Sequence, residues 1–191
     1  MKKTLFINGC VREEQSRTLK IAKTYIDTLK ENCEFELIER NLCKENISFL
    51  SNENFNAETG QLNLTNKTAL AIEFASADEI IIAAPFWEFL FPAIVSCYIE
   101  MVSEVGITFK YGDQGSVGLC KANSMTYIYS SGDELQDEDK ICEKYLQRLS
   151  KLYGIPKFSV ISAQGLDIQT NCADTIVNGV LEKIKSNNIS E

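Results

Sequence analysis

Ile80-Ile81-Ile82-Ala83-Ala84, followed at once by Pro85-Phe86-Trp87-Glu88-Phe89-Leu90-Phe91-Pro92, decides the reading of this chain. An unbroken apolar run led by β-branched residues suits a strand covered on both faces, as in the middle of a parallel sheet. Outward from it, further strand-like runs lie at residues 4–8, 35–39, 125–130 and 158–163. Stretches of period 3.6 alternate with them. Leu19, Ala22, Ile26 and Leu29 line one face of the first, and Ile141, Tyr145, Leu149 and Leu152 stripe another that Gly154 closes, with Pro156 just beyond. Ala173, Ile176, Val177, Val180, Leu181 and Ile184 mark the last helix. Pro92, suited to a first helical turn, opens a helix expected to run to Val105, and a polar connection over residues 44–67 leads into a shorter helix ending near Ser76. Strand–helix units of about 38 residues predict one doubly wound α/β domain over residues 1–191, with five parallel strands and helices on both faces.

Composition narrows the function. With 45% apolar residues the chain can build a core without metal or disulfide staples. Its 19 basic against 27 acidic residues give a net charge of −8, the wrong sign for tracking nucleic acid or anionic lipid. The absence of histidine excludes Ser-His-Asp and Cys-His hydrolases and histidine-ligated zinc, so an enzyme of this composition draws its chemistry from a cofactor. Seven cysteines with no C-x-x-C pair read as reduced thiols of a cytoplasmic protein, and no signal-like or membrane-spanning segment is expected.

In such a sheet a ligand sits at the carboxyl ends of the strands, where the strand order reverses. The loop after the first strand, Asn8-Gly9-Cys10-Val11-Arg12-Glu13-Glu14-Gln15-Ser16-Arg17-Thr18, brings glycine, hydroxyls and arginine to a helix N-terminus, which suits one phosphate. It matches neither G-x-x-x-x-G-K-[ST] nor G-x-G-x-x-G, so a nucleoside triphosphate or a Rossmann-bound dinucleotide is disfavoured. The same residues read equally as a helix capped by Ser16 or Thr18. The aromatics Phe86, Trp87, Phe89 and Phe91 either hold a flat heterocycle or pack under the next helix and against a second subunit. A phosphate loop beside an aromatic loop fits a ligand with a phosphate tail and a planar ring, the shape of flavin mononucleotide (FMN).

Several motifs carry a family resemblance. Ala83-Ala84-Pro85-Phe86-Trp87-Glu88-Phe89 resembles the A-A-P-M-Y-N-F segment of FMN-dependent NADH-azoreductases, flavodoxin-like relatives of the NAD(P)H:quinone reductases. Trp87-Glu88-Phe89 with Pro92-Ala93-Ile94 is similar to the quinone reductases' W-F-x-x-P-A-I-L. Gly106-Ile107-Thr108-Phe109-Lys110-Tyr111 resembles G-V-T-F-R-Y, Ser130-Ser131-Gly132-Asp133 resembles S-R-G-G, and Ala163-Gln164-Gly165 resembles A-E-G. The resemblance implies a flavodoxin-like sheet of order 2-1-3-4-5. It also implies that Cys10, Ser16, Arg17 and Thr18 hold the FMN phosphate, with Cys10 standing where the family has Ser. Pro85, Phe86, Trp87, Glu88 and Phe89 would line the ribityl chain and ring, and Ser130, Ser131, Gly132 and Asp133 the ring's other edge.

The resemblance further implies a homodimer in which Tyr111 and Leu152 approach the partner's flavin; ordinary packing is the other reading of those two. The implied activity is an NADH- or NADPH-driven oxidoreductase that reduces quinones, azo compounds or nitroaromatics by ping-pong transfer, with no catalytic side chain and no metal. A flavodoxin-like electron carrier and a cofactor-free regulatory dimer are the alternatives. Glu88 for Asn, Ser131 for Arg and Asp133 for Gly, with the family's His after S-R-G-G missing, imply a more acidic pocket. Of the neighbouring acids, Asp137, Glu138 and Asp139 read as the polar start of a helix.

Overall fold

The structure, a computed structural model, describes residues 1–47, 49, 51, 55–56, 61–62 and 66–186. Its main sheet consists of β1 (Lys2–Asn8), β2 (Phe35–Asn41), β5 (Glu79–Ala83), β8 (Ser124–Ser130) and β9 (Lys157–Ala163). All are parallel in the order β2-β1-β5-β8-β9, the expected 2-1-3-4-5 when these strands alone are counted. Successive residues of a strand point to opposite faces, and the core divides accordingly. Leu5, Ile7, Ile80, Ile82, Met125 and Tyr127 pack on one face with α2 (Lys67–Ser76), α3 (Ala93–Val102) and α4 (Ile141–Tyr153). Phe6, Ile81, Ala83 and Ile128 pack on the other with α1 (Arg17–Asn32) and α5 (Ala173–Lys185). The unbroken apolar run of β5 is thus buried from both sides.

The helix after Pro92 differs from its expected extent. Pro92 is the N-cap rather than a helical residue, and α3 stops at Val102, where the Ser103 N–H and hydroxyl both bond back to the Ile99 carbonyl. The chain then turns through Gly106 at φ +88° into an antiparallel hairpin of β6 (Phe109–Gly112) and β7 (Gly115–Gly118) that period counting does not reveal. Gly118 of this hairpin meets the Tyr153–Gly154 backbone with no room for a Cβ. Gly154 closes α4 in the left-handed conformation, φ +81°, as its position after the apolar stripe predicts. A short pair, β3 (Phe55–Asn56) with β4 (Gln61–Leu62), falls within the polar connection, most of which lies outside the described residues. Among the described residues no helix is long and apolar enough to cross a membrane.

Candidate functional site

β1, β5, β8 and β9 end on one edge of the sheet, and the loops that leave them form two contiguous clefts. The loop after β1 is held down first. Gly9 N–H donates to the Ala83 carbonyl at 2.8 Å, and Asn8 Oδ1 accepts from the Cys10 N–H at 3.1 Å. Any Cβ at Gly9 would collide with Val95 of α3, so only glycine lets the loop leave the sheet here. Ser16 then caps α1, its Oγ accepting from the Leu19 N–H at 3.2 Å. Among the described residues the N–H groups of Arg17 and Thr18 have no protein acceptor, and the Ser16 hydroxyl also hydrogen-bonds the Cys10 thiol. Of these residues Ser16 and Arg17 border an inner cleft of about 190 Å³, lined also by Gln15, Pro85, Ser130 and Leu166 among others. A helix N-terminus with free N–H groups, a hydroxyl and a guanidinium is suited to an anion.

Two side chains expected at this chain's own ligand, Cys10 and Thr18, lie elsewhere. Cys10 is 2% exposed and its thiol bonds to the Ala83 carbonyl at 3.6 Å; burial pushes the thiol up to about 12. It packs with Leu19 and Ala22 in the core rather than facing the cleft. Thr18 is also fully buried, its Oγ1 2.7 Å from Ser130 Oγ, so it ties the loops after β1 and β8 together from beneath. Tyr111 is exposed on the β6–β7 hairpin, and Leu152 lines a separate groove with Ser116, Tyr145 and Arg148. Neither lines the two clefts of this chain.

The aromatic loop divides its side chains between core and cleft. Phe91 is buried against Tyr145, with ring centroids 6.0 Å apart, whereas Trp87 and Phe89 are 39% and 59% exposed. Phe86 lies between, edge-on to Phe89 at 6.3 Å and tilted on Tyr129 at 6.2 Å. Phe91 thus packs in the core, whereas Phe86, Trp87 and Phe89 line the clefts. Paired bonds, Trp87 N–H to Leu90 O at 2.7 Å and Leu90 N–H to Trp87 O at 2.9 Å, close a two-residue turn. Its central residues, Glu88 at φ +50° and Phe89 at φ +66°, are both left-handed, a turn that usually takes Asn-Gly. Holding two such side chains there costs about 1–2 kcal/mol each.

The loops after β8 and β9 complete the outer cleft, of about 840 Å³. They zip together through Leu166 N–H to Ser131 O, Asp167 N–H to Gly132 O and Gly165 N–H to Asp133 O, at 3.0 to 3.1 Å. A Cβ at Gly132 would come within 2.7 Å of the Asp167 carboxylate. Ser131 is buried, its hydroxyl donating to the Asp133 carbonyl at 2.7 Å, so that side chain is spent within the loop. Gln164 braces the same region: its amide donates to Tyr129 Oη at 2.7 Å and accepts from the Leu135 N–H at 2.9 Å. Arg12, Gln15, Leu166 and Asp167 line the clefts without having been singled out from the sequence; Asp167 sits 3.5 Å from the Arg17 guanidinium. Asp139 joins the outer cleft ahead of α4, which starts two residues later than the acids; Asp137 pairs with Lys140.

Comparison with known proteins decides the family. The sequence model of a family described as having a flavodoxin-like fold matches residues 2–187. The chain belongs to this flavodoxin-like family. It is 35% identical over 192 residues to an FMN-dependent NADH:quinone oxidoreductase of Clostridium beijerinckii, covering 97% of each chain. It is 36% identical over 178 residues to one of Coprothermobacter proteolyticus, covering 88% and 89%. Among solved structures, a Bacillus anthracis FMN-dependent NADH-azoreductase in complex with FMN superposes with a TM-score of 0.84 at 21% identity, covering 97% of each chain. An azoreductase of the same species superposes at 0.82 with 24% identity, covering 97% of this chain and 98% of that one. At these identities the two superpositions speak for the fold.

Within this flavodoxin-like fold, the left-handed turn makes one substitution informative. Asn tolerates positive φ better than Glu, and it is the residue of the resembled azoreductase motif. Glu88→Asn is expected to raise the unfolding free energy by about 0.5–1 kcal/mol in urea denaturation of the apoprotein. An unchanged or lowered midpoint would show that the turn carries no strain at this position.

Proposed function

We propose that this protein is an FMN-dependent oxidoreductase that takes reducing equivalents from NADH or NADPH and delivers them to quinones, azo compounds or nitroaromatics. The observation that carries the reading is the capped N-terminus of α1, with its free N–H groups, opening beside an aromatic turn in a continuous cleft. The inner cleft suits a phosphate: Ser16 at the N-terminus of α1, the Arg17 N–H and the Arg17 guanidinium line it and would supply donors and positive potential. The outer cleft is in the volume range of small-molecule sites, and Pro85 to Phe89 on one side with Ser130 to Asp133 on the other would border the ring. When bound, FMN would supply the two-electron redox chemistry between the nicotinamide donor and the acceptor.

The chain's own residues bind and orient. Trp87 and Phe89 offer exposed ring faces for planar partners, and Phe86 backs them from the Tyr129 side. The Glu88 and Phe89 N–H groups, without protein acceptors among the described residues, are free to donate into the cleft. No side chain is asked to move a proton, which agrees with a chain lacking histidine. Near full-length similarity to NADH:quinone oxidoreductases favours an enzyme over an electron carrier. Seven free cysteines and the net charge of −8 support a cytoplasmic protein that binds neither nucleic acid nor membrane.

The experiment is anaerobic addition of NADH to FMN-loaded protein, with Ser16→Asp alongside. Asp caps a helix as well as Ser does, so α1 survives while a carboxylate is set beside the phosphate. The wild type is expected to bleach and to recover colour on adding a quinone. The variant should keep its melting temperature yet bind FMN at least about a hundredfold more weakly. Flavin that NADH fails to bleach would refute the activity, and undiminished FMN affinity in Ser16→Asp would refute the phosphate site.

A homodimer is part of the same reading. Phe89, Leu90, Tyr111, Val117, Ile141 and Tyr145 expose large apolar side chains, with Tyr111 at 74%. Covering that much apolar surface favours a second copy, whose Tyr111 and Leu152 would then close the flavin site. Sedimentation velocity is expected to give a dimer at assay concentrations; a fully active monomer would overturn this arrangement.

A further inference from the structure

We infer that the outer cleft selects its electron acceptor by charge, admitting planar neutral or cationic aromatics in preference to anionic ones. This inference rests on the reductase reading. Glu88, Asp133, Glu134, Asp139 and Asp167 line the cleft, and Arg12 is the cation that lines it with them. The carboxylates come from three loops, after β5, β8 and β9, so their convergence is produced by the fold and not by one acidic run. Among the described residues Glu88, Asp133, Glu134 and Asp139 form no ion pair, and Asp167 is shared with Arg17 at 3.5 Å. A ligand in this cleft therefore meets uncompensated negative charge within roughly one Debye length, about 8 Å at physiological salt.

A second observation points to the ligand itself. The Arg12 guanidinium already lies over the Trp87 ring, 5.5 Å from its centroid. A flat, delocalised cation against an aromatic wall is the arrangement that a planar cationic acceptor would reproduce on the exposed Trp87 and Phe89 faces. An aromatic sulfonate or carboxylate would find the same faces but also the repulsion. NADH is not excluded by this field, because its nicotinamide ring carries no anionic group and its negative charge sits on a pyrophosphate removed from the ring that enters. Selection thus falls on groups attached directly to the ring that enters.

The test is calorimetric titration of the oxidised FMN-loaded protein with naphthalene-2-sulfonate and with 2-naphthylmethylammonium, which share a ring and differ in charge. At low salt the cation is expected to bind about tenfold tighter or more. The ratio should fall to within about twofold near 0.5 M salt, where the Debye length is only a few ångströms. Glu134→Gln with Asp139→Asn should narrow the low-salt ratio. Should that pair fail to fold, the salt dependence of the wild type decides alone. Equal affinities at low salt, tighter binding of the sulfonate, or a ratio unmoved by salt would overturn the inference. NADH-dependent reduction of 1,4-naphthoquinone is measured in parallel. Its absence would refute the reductase reading while the binding comparison still stands or falls on its own.

Discussion

The contact between Gly9 and Val95 is the constraint on which the site depends. β1 ends next to β5, and the chain must leave β1 toward α1 through a gap already occupied by the first turn of α3. Only a residue without Cβ fits, and its N–H is then captured by the Ala83 carbonyl. That fixes where the loop runs, and the loop's course fixes where the N-terminus of α1 opens. Thr18 and Ser130, hydroxyl to hydroxyl at 2.7 Å, carry the same positioning across to β8. The N-terminus of α1, the aromatic turn and the zipped loops after β8 and β9 are neighbours because the strand order reverses at β1 and β5.

On that frame the two halves of the cleft have opposite electrostatic character. The inner end has the α1 dipole and Arg17; the outer end has carboxylates from three loops with Arg12 at the junction. In the proposed function this polarity would orient an anionic tail and a flat ring before any chemistry occurs, which is the protein's share of work in a cofactor enzyme. The left-handed Glu88 and Phe89 add a local cost of backbone strain, maintained by the paired bonds of Trp87 with Leu90 and by Phe91 anchored in the core. Strain of this kind persists where surrounding contacts over-determine the backbone.

Much of this was legible in the sequence because it is periodic or punctuated. The all-apolar β5 run, the stripes of α1, α4 and α5 and the cap at Gly154 report local geometry directly. The loops after β1 and β5 stood out by residue type, one rich in glycine, hydroxyls and arginine and the other in aromatics. Orientation was not. Cys10 faces the core because the Asn8 turn holds its backbone, which nothing in the order of residues encodes. Leu166 and Asp167 reach the inner cleft only through hydrogen bonds to Ser131 and Gly132, far away in sequence. The β6–β7 hairpin has little buried surface to alternate, and the turn at Glu88 lacks the Asn-Gly signature that would announce it.

The central claim is that the α1 N-terminus recognises a phosphate on a flavin. Titrating apoprotein with FMN and with riboflavin, which differ by that phosphate alone, tests it most directly. The account predicts FMN binding tighter by about a hundredfold or more, with the advantage shrinking as salt rises. Equal affinity for the two flavins would contradict it.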